Sequence, residues 1–322
     1  MTRLLRFLTH SALLLCVAFR ATAADATFSA DGQRVYLVQW EKATVRVINV
    51  VEQTTSELDL GKFTNKQPVR AVSLSTNGDL LFVTARDAWA YKSENKSCVK
   101  LCNAGKGVEF FDLAHEPDSK ATVFVTRKGA ESGALYLKKD AAQPLPVFMR
   151  RVGSFDGLAF ASDGDLFFGT RGDLWQGRVE PDQEMPRAVL EGIRCAPLAT
   201  LETALGTPSQ IGVQAVAVAG EKIYVHLRRL GGSGWGNIVR LNKPAMAGED
   251  SLEARLKLYV AELSSVEVLA ENGSASYLCA SRDGKRVFFT SGTLESSELK
   301  YFLVEENGQP RELSVSPSKQ EK

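Results

Sequence analysis

Four arginines recur at the same place in a repeated segment, directly after an alternating apolar stretch. The segments read L-L-F-V-T-A-R, A-T-V-F-V-T-R, D-L-F-F-G-T-R and K-I-Y-V-H-L-R, and they end at Arg86, Arg127, Arg171 and Arg228. Guanidinium groups bind carboxylates and phosphates through paired hydrogen bonds. If the repeats surround one axis, these side chains form an arginine rim that suits an anionic ligand.

Three more side chains belong to this candidate site. Trp40 takes the position of the arginine in an earlier copy, R-V-Y-L-V-Q-W, and His226 lies two residues before Arg228. Trp235, in the connection G-G-S-G-W-G, offers a flat ring for stacking on a sugar or an aromatic group. The alternative is that arginine recurs because the repeats share an ancestor, and that each arginine pairs with a neighbouring acid such as Asp87.

Histidine-based and other familiar catalytic motifs find little support in the chain. Of its three histidines, His10 lies in the N-terminal apolar segment, which leaves His115 and His226. The sequence has no H-E-x-x-H, no G-x-S-x-G and no G-x-x-x-x-G-K motif. No catalytic residue is therefore predicted.

The first 23 residues have the pattern of an export signal. Arg3 and Arg6 precede an apolar stretch, 12–19, and the small residues A-T-A at 21–23 form a cleavage site before Ala24. A membrane anchor is the rival, but the apolar run is too short to span a bilayer. Cys16 suggests lipidation, although the leucine before it is larger than a lipobox normally allows. We expect a bacterial periplasmic or extracellular protein with no membrane span after cleavage.

The charge balance excludes nonspecific nucleic-acid binding as a function class. The whole chain has a net charge of +1, and removal of three arginines with the leader takes it to −2. Nucleic-acid binding of that kind needs a basic field. The expected partners are therefore a protein, an acidic glycan or a small anion.

Four cysteines remain after cleavage: Cys98, Cys102, Cys195 and Cys279. An exported protein can oxidise such residues. If S-C-V-K-L-C is a strand, Cys98 and Cys102 lie about 13 Å apart, which is beyond the roughly 7 Å that a disulfide tolerates. Only a turn at that point would bring the two thiols together.

A hairpin pattern positions all of these residues. The segment S-R-D-G-K-R-V-F-F-T-S-G at 281–292 joins an apolar strand to an alternating strand through a D-G turn, and Asp and Gly tolerate the positive φ of tight turns. Six copies are found along the chain, and each is followed by a third apolar strand and a fourth, more polar one. Six such units of about 50 residues predict an all-β, six-bladed β-propeller of four-stranded blades.

The predicted domain boundaries follow from this repeat. Residues 24–315 form the propeller, with blades near 26–60, 69–102, 108–150, 156–190, 213–271 and 276–315, and residues 316–322 form a disordered tail. A long connection is expected at 193–212. The segment 248–264 predicts a short helix inserted in blade five, because Asp250 and Glu253 form a capping box. This helix is expected to cover a sheet edge or to offer a docking surface.

The repeats resemble several families of propellers. The first blade, F-S-A-D-G-Q-R-V-Y-L-V with T-V-R-V-I-N-V, is similar to YVTN-type repeats, and S-R-D-G-K-R-V-F-F-T-S-G is similar to the TolB-type repeat. F-D-G-L-A-F-A-S-D-G-D-L-F-F-G-T resembles blades of the gluconolactonase-like and NHL groups. The resemblance covers nearly the whole mature chain and implies a propeller fold, which hosts many functions.

The gluconolactonase-like resemblance implies an alternative function, a lactonase-like hydrolase. Those enzymes hold a divalent cation, such as calcium, on the propeller axis with carboxylates and amides. The positions that match are Glu109, Asp156 and Gln214, although the family's glutamate-and-asparagine set is not recovered. Without that set, no cofactor is expected, and the sequence favours a binding or scaffold module over an enzyme.

Overall fold

The computed structural model describes residues 25–117, 121–138, 143–150, 155–170, 172–196, 211–229, 236–243, 266–270, 277–291, 299–306 and 308–317. Four features predicted from the sequence lie outside these residues, namely the signal peptide at 1–23, the helix at 248–264, Arg171 and Trp235. They stay predictions.

The described part of the chain is almost entirely β-structure, as the alternating apolar patterns predict. The first half contains β1 (Ala26–Phe28), β2 (Arg34–Val38), β3 (Thr44–Asn49), β4 (Thr54–Asp59), β5 (Ala71–Leu74), β6 (Leu80–Val83), β7 (Asp87–Lys92), β8 (Ser97–Asn103), β9 (Glu109–His115), β10 (Thr122–Lys128), β11 (Glu131–Leu137) and β12 (Leu145–Arg150). The second half contains β13 (Leu158–Phe160), β14 (Leu166–Thr170), β15 (Asp173–Pro181), β16 (Ala188–Ala196), β17 (Ile211–Ala219), β18 (Lys222–Arg229), β19 (Gly236–Asn242), β20 (Glu267–Ala270), β21 (Leu278–Ala280), β22 (Arg286–Ser291), β23 (Lys300–Glu305), β24 (Arg311–Leu313) and β25 (Ser316–Pro317). A four-residue helix, α1 (Gly61–Thr64), follows β4.

These strands form five sheets rather than six separate ones. β1–β4 with β25 make a five-stranded sheet, while β5–β8, β17–β20 and β21–β24 make four-stranded sheets. An eight-stranded sheet contains two antiparallel runs, β9–β12 and β13–β16, joined by parallel pairing of β12 with β16. The expectation of six separate four-stranded blades is therefore met only in part, whereas the all-β propeller-like fold is confirmed.

The antiparallel runs follow one another around an axis. The first strand of each run contacts the first strand of the next, in the order β1, β5, β9, β13, β17, β21, and β21 contacts β1. Buried apolar clusters fill the space between consecutive runs, and the last cluster packs Phe28 and Leu37 against Tyr277, Phe288 and Leu303. Because no run can cover both of its faces alone, closure of this ring buries the core.

Pairing at the outer edges also links distant parts of the chain. β25 runs parallel to β4, with Ser316 opposite Thr54 and Pro317 opposite Thr55. Residues 316 and 317, which we assigned to a disordered tail, are therefore the last strand of the first sheet. Likewise β16 continues to Ala196, so the first four residues of the connection predicted at 193–212 are β-structure.

The turns between first and second strands share a conformation that differs from the predicted one. In each Ser-x-Asp-Gly or related turn the glycine N–H donates to the carbonyl three residues earlier, as from Gly32 to Ser29 and from Gly284 to Ser281, both at 2.9 Å. Only the glycine has positive φ, +65° at Gly32 and +67° at Gly284. At these two hairpins Ser29 and Ser281 donate to the carbonyls of Arg34 and Arg286, so four residues lie between the paired positions and the left-handed glycine is the third of them. The preceding Asp31 and Asp283 instead accept hydrogen bonds from Ser29 and Ser281.

The same glycines allow neighbouring turns to pack closely around the ring. A Cβ added to Gly284 would lie 2.6 Å from the backbone nitrogen of Gly220 in the preceding turn. A Cβ on Gly164 would lie 2.7 Å from Oε1 of Glu116, and one on Gly78 would lie 3.2 Å from Cβ of Ala30. The D-G repeat therefore serves the contact between units as well as the hairpin.

The cysteines at the second sheet's edge are free. Cys98 and Cys102 both lie on β8, as the strand interpretation predicts, and Cys279 is buried beside the axis. Burial raises the pKa of Cys98 to about 11 and that of Cys102 to about 12. These thiols are therefore poorly ionised at neutral pH. No helix in the described part of the chain is long and apolar enough to cross a membrane.

We predict that Gly284→Ala destabilises the protein more than Gly129→Ala does. Both glycines have left-handed φ, +67° and +61°, so both substitutions cost about 1–2 kcal/mol for the backbone. Only Gly284 meets a neighbouring backbone, because nothing lies within 4 Å of a Cβ at Gly129. Urea denaturation of both variants measures the difference. Equal losses would show that turn-on-turn contact does not stabilise the ring.

Candidate functional site

A cavity of about 230 Å³ lies on the axis of the ring. Residues of the first strand of every run line it, from β1, β5, β9, β13, β17 and β21, together with the turns that follow them. It reaches the exposed residues Gly220, Arg282 and Asp283, so it opens at the end of the ring that carries these turns. We call this the turn end, and we call the end where the first strands begin the arginine end.

The six inner strands align in register from their hairpins. Each aligned segment has five residues and ends at the first residue of its turn. The segments are D-A-T-F-S, A-V-S-L-S, D-L-A-H-E, G-L-A-F-A, A-V-A-V-A and Y-L-C-A-S. Their starting residues are Asp25, Ala71, Asp112, Gly157, Ala215 and Tyr277. In every strand the cavity lining begins one residue after this starting position. The six starting residues therefore form a layer that closes the cavity, and we call it the axial layer.

Two carboxylates of the axial layer are buried without partners. Asp25 and Asp112 are 4% and 1% exposed. Oδ1 of Asp112 accepts the N–H of Leu113 at 2.7 Å, but its Oδ2 and both carboxylate oxygens of Asp25 have no hydrogen bond in the described structure. Burial raises the pKa of both groups well above the usual range, and the charge of Asp112 raises that of Asp25 further. β1 and β9 are separated by β5, so the two carboxyl groups interact across the axial region.

The mouth of the cavity is held by a hydrogen-bonded bridge. The backbone N–H of Thr76 donates to Nε2 of His115 at 3.0 Å, so this nitrogen is unprotonated, and Nδ1 of His115 lies 2.9 Å from Oγ1 of Thr122. Nη1 of Arg282 donates to the carbonyl of Thr76 at 2.6 Å. The turns after β21 and β5 are not neighbours in the ring, because the turn after β1 lies between them. Arg282 therefore spans part of the mouth.

At the arginine end, Arg127 lies in a mixed-charge cluster. Its guanidinium carbon stands 3.7 Å from the ring centre of Phe111. Burial lowers the pKa of Arg127, the charge of Asp156 opposes this change and that of Arg70 adds to it. Arg70 also forms an ion pair with Glu109 at 2.9 Å. Arg127 thus interacts with an acid of another unit, Asp156, and with a second arginine.

The residues suggested for a cation by the gluconolactonase-like resemblance do not fit one. Glu109 is paired with Arg70, and Asp156 lies in the field of Arg127, so two positive charges already occupy their surroundings. Gln214 is the residue at which the pairing of β17 with β18 shifts. Among the residues that the structure describes, no three side chains of His, Cys, Asp or Glu are grouped to hold a metal ion.

The remaining predicted site residues are spread over the arginine end. Arg86 is exposed, whereas Arg228 and Trp40 are half-buried. His226 is 2% exposed, and burial, with a contribution from Arg228, lowers its pKa to about 3. Its Nε2 has no hydrogen-bond partner among the described residues. The arginine rim and the role of His226 in ligand binding stay predictions, because Arg171 lies outside the described residues.

Sequence reasoning missed Asp25 and Asp112, although a signal was present. Asp112 interrupts the apolar run E-F-F-D-L-A-H, and both aspartates stand four residues before the first turn residue of their hairpins. Aligning second strands highlighted the arginines, whereas aligning first strands shows the two carboxylates. Arg282 was missed because the D-G turn was treated only as a hairpin signal.

No protein-family model matches the chain, and no curated protein sequence matches it. Solved structures are similar in fold. TolB from Acinetobacter baumannii has a TM-score of 0.57 and 12% identity over 89% of this chain and 65% of its own. Regucalcin from Agrobacterium tumefaciens, a calcium-binding protein, has a TM-score of 0.56 and 12% identity over 92% of this chain and 93% of its own. A gluconolactonase from Xanthomonas campestris has a TM-score of 0.55 and 12% identity over 85% of both chains.

These similarities establish a β-propeller fold and nothing finer. The three structures include a calcium-binding protein and an enzyme, and identity near 12% carries no assignment of activity from either. This chain spans about two thirds of the TolB chain that it matches. The function must therefore be argued from the chain's own residues.

We predict that His115→Gln reduces the loss of stability in acid. Burial and the charge of Arg282 lower the pKa of His115 to about 4. Between about pH 6.5 and pH 4 the histidine binds a proton in the unfolded chain but not in the folded chain. The free energy of unfolding therefore decreases as the pH is lowered through this range, by roughly 3 kcal/mol at most for this residue. Glutamine can still accept from Thr76 and donate to Thr122.

Urea denaturation at pH 7, 6, 5 and 4.5 measures this effect. The variant should lose less stability than the wild-type protein over that range. The part of the acid-induced loss that comes from His226 should remain in both proteins. The same pH dependence in both proteins would mean that His115 is protonated as easily in the folded chain as in the unfolded one.

Proposed function

We propose that this protein is an exported six-bladed β-propeller that acts as a binding module and takes a small anionic ligand into its axial cavity. The observation that carries the proposal is the cavity itself. It is lined by all six inner strands, closed at one end by the axial layer and open at the turn end. A concave, largely apolar site with a few polar groups is the usual form of a small-molecule site.

The blade count follows from treating the eight-stranded sheet as two blades joined at their outer edges. β12 and β16 are the last strands of their runs, and they pair in parallel with four residues each. The inner strands β9 and β13 contact each other as the other inner strands do. On this reading the ring has six blades, and parallel pairing at the outer edge occurs twice, here and between β4 and β25.

The lining suggests how such a ligand is oriented. The inner-strand residues that border the cavity include Phe28, Leu113 and Leu158, whose side chains belong to the apolar clusters between the runs. The mouth carries the hydroxyl groups of Ser75, Thr76, Ser162 and Ser281 together with Arg282. A guanidinium has five N–H donors, and the bond to Thr76 uses one nitrogen. The hydroxyls of Thr76 and Ser281 already donate to the carbonyl of Pro117 and to Asp283. A carboxylate or phosphate at the mouth would therefore bind chiefly through the guanidinium of Arg282 and the hydroxyl of Ser162, with the carboxylate of Asp283 in the same lining.

The competing function is a metal-dependent, lactonase-like hydrolysis. The residues proposed for its cation, Glu109, Asp156 and Gln214, share their surroundings with Arg70 and Arg127. A divalent cation placed there would be repelled by both arginines. Binding therefore agrees better with the electrostatics of the described residues than hydrolysis does.

We predict that Arg282→Glu weakens binding of small carboxylates and phosphates to the mature protein at least tenfold, whereas Lys285→Glu leaves it unchanged. Both residues belong to the same turn and both are exposed, but only Arg282 lines the cavity. A bound ligand at 100 times its dissociation constant adds about 2.7 kcal/mol to the free energy of unfolding. Thermal unfolding with a panel of acidic sugars, small carboxylates and phosphates detects the ligand and then compares the variants.

The same panel separates the rival sites. If Arg86→Glu and Arg228→Glu abolish binding while Arg282→Glu does not, the arginine rim is the site and the cavity is not. Loss of stability in EDTA that calcium restores, with no response to anions, would support the hydrolase instead. No response to any of these compounds would contradict the small-anion proposal and favour a protein partner.

We predict that a bacterial cell that makes the full chain accumulates a shortened protein outside the cytoplasm. The mass should correspond to residues 24–322, because the A-T-A sequence at 21–23 precedes the cleavage site. Cell fractionation followed by intact mass measurement checks both location and cleavage. A full-length protein in the cytoplasm would contradict export, and a mature chain that begins at Cys16 and carries a lipid-sized mass increase would show a lipoprotein.

A further inference from the structure

We infer that the blade formed by α1 and β5–β8 binds an acidic polysaccharide along its outer strand, β8. This blade spans residues 61–108, all of which the structure describes. Five exposed lysines on and beside β8 form the surface that we call the basic track: Lys62, Lys92, Lys96, Lys100 and Lys106. The inference goes beyond the axial cavity proposed above and takes from that proposal only the export of the chain.

The first ground is an uneven distribution of charge along the chain. Residues 61–108 contain eight basic and three acidic residues, which gives this blade a net charge of +5. The mature chain as a whole carries −2, so everything outside this blade carries −7. The balanced total therefore hides one basic blade in an otherwise acidic chain, and a local cluster of this kind attracts polyanions.

The second ground is that acids leave most of the basic track unpaired. In other blades basic side chains have acidic partners, as where Nε of Arg178 lies 2.7 Å from Oδ1 of Asp165. Within the basic track Lys100 is paired with Asp87, at 2.6 Å between Nζ and Oδ1. The other four lysines are exposed and form no ion pair with any residue that the structure describes. Their charges are available to a partner in solution.

The third ground is that the track follows one strand. β8 runs from the hairpin that carries Lys92 and Lys96 to the connection that carries Lys106, and Lys100 lies between them. Seven residues of extended strand cover about 20 Å. A small anion cannot contact both ends of such a row, whereas a polymer with repeated negative charges can.

Aromatic rings restrict two of these lysines. Nζ of Lys62 lies 4.6 Å from the ring centre of Phe63, and Nζ of Lys100 lies 5.9 Å from that of Trp89. Burial raises the pKa of Cys98 to about 11 and the charge of Lys62 opposes this rise, so Lys62 reaches β8 from α1. Side chains that are already restricted lose less entropy on binding. The track is therefore partly preorganised for its ligand.

The surroundings of the track favour a hydrated polymer over a membrane or a protein. Val99 is 46% exposed, and no other large apolar side chain in the fully described stretch 61–108 is comparably exposed. Membranes and protein partners are normally met by exposed apolar or aromatic groups. Lysine presents a point charge without the paired geometry of arginine, which suits carboxylate or sulfate groups spaced along a flexible chain. Outside the cytoplasm, where we place the protein, that chain is an acidic polysaccharide.

Protection of a sheet edge is the competing explanation for lysine on β8. β8 is the last strand of its sheet, and lysine on an edge strand discourages pairing with another chain. That role requires charge on β8 itself, where Lys100 lies. It does not require Lys62, Lys96 or Lys106, which lie on α1 and on the two connections that flank β8.

The test compares two double variants of the mature chain that change the net charge equally. Lys96→Glu with Lys106→Glu reverses both ends of the track, whereas Lys138→Glu with Lys285→Glu changes exposed lysines of other blades. Isothermal titration with heparin and with polygalacturonate measures binding at two salt concentrations, and uncharged dextran is the control polymer. Because fewer counterions are released, the first variant should bind at least tenfold more weakly and with a smaller dependence on salt. The second should change less than twofold.

Chain length gives a second readout that does not depend on a variant. The affinity for galacturonate oligomers should rise with length until the oligomer covers the track of about 20 Å, and the monomer should not displace the polymer. Arg282→Glu should leave polymer binding unchanged, because Arg282 lines the cavity and lies outside the track. Failure of the polysaccharide inference and failure of the cavity proposal are thereby distinguished.

Four results would overturn the inference. Unchanged binding by the variant with Lys96→Glu and Lys106→Glu would place the polymer elsewhere, and equal losses in both double variants would show that only the net charge matters. Equal affinity for duplex DNA or for phosphatidylglycerol vesicles would show that the blade does not select a polysaccharide. The fourth is the absence of binding to both acidic polymers at low salt. All four substituted lysines are exposed, so both variants should keep the wild-type urea midpoint.

Discussion

The structure depends on how closely six strands can approach one axis. At Gly157 an added Cβ would lie 2.8 Å from Cα of Ala215, and at Gly169 it would lie 2.7 Å from the carbonyl oxygen of Asp156. Small residues recur where inner strands converge, since the aligned inner segments contain Ala, Gly and Ser at many positions. In the axial layer Asp25, Asp112 and Tyr277 are buried. Any charge placed there must find a partner within the protein.

This constraint separates the two ends of the ring chemically. Towards the turn end the axis widens into a cavity with an apolar depth and a hydroxyl-rich mouth, and Arg282 provides a cation there. At the arginine end, charges of both signs lie close together, since Arg70 is paired with Glu109 and Arg127 interacts with Asp156. Both ends therefore carry an arginine with acidic neighbours, since Asp283 lines the mouth beside Arg282. The proposed binding site is at the turn end because only that end opens into the cavity.

The sequence predicts the fold well because the hairpin pattern repeats. Strand positions follow from alternation, and four-stranded units follow from the spacing. For example, the blade predicted near 108–150 contains the four strands β9–β12. Side-chain partners are less predictable. The environment of Arg127 depends on Arg70 and Asp156, which come from other units, and the burial of Asp25 depends on β9 and β21. Local patterns carry no information about contacts across the axis.

Chemical-shift mapping shows whether a small anionic ligand occupies the axial cavity. The experiment is a titration of the ¹⁵N-labelled mature protein with small carboxylates and phosphates. We expect the perturbed amides to belong to the cavity lining, in β1, β5, β9, β13, β17, β21 and the turns that carry Thr76 and Arg282. Perturbations confined to the surroundings of Arg86, Arg127 and Arg228, or to the outer strands, would contradict it.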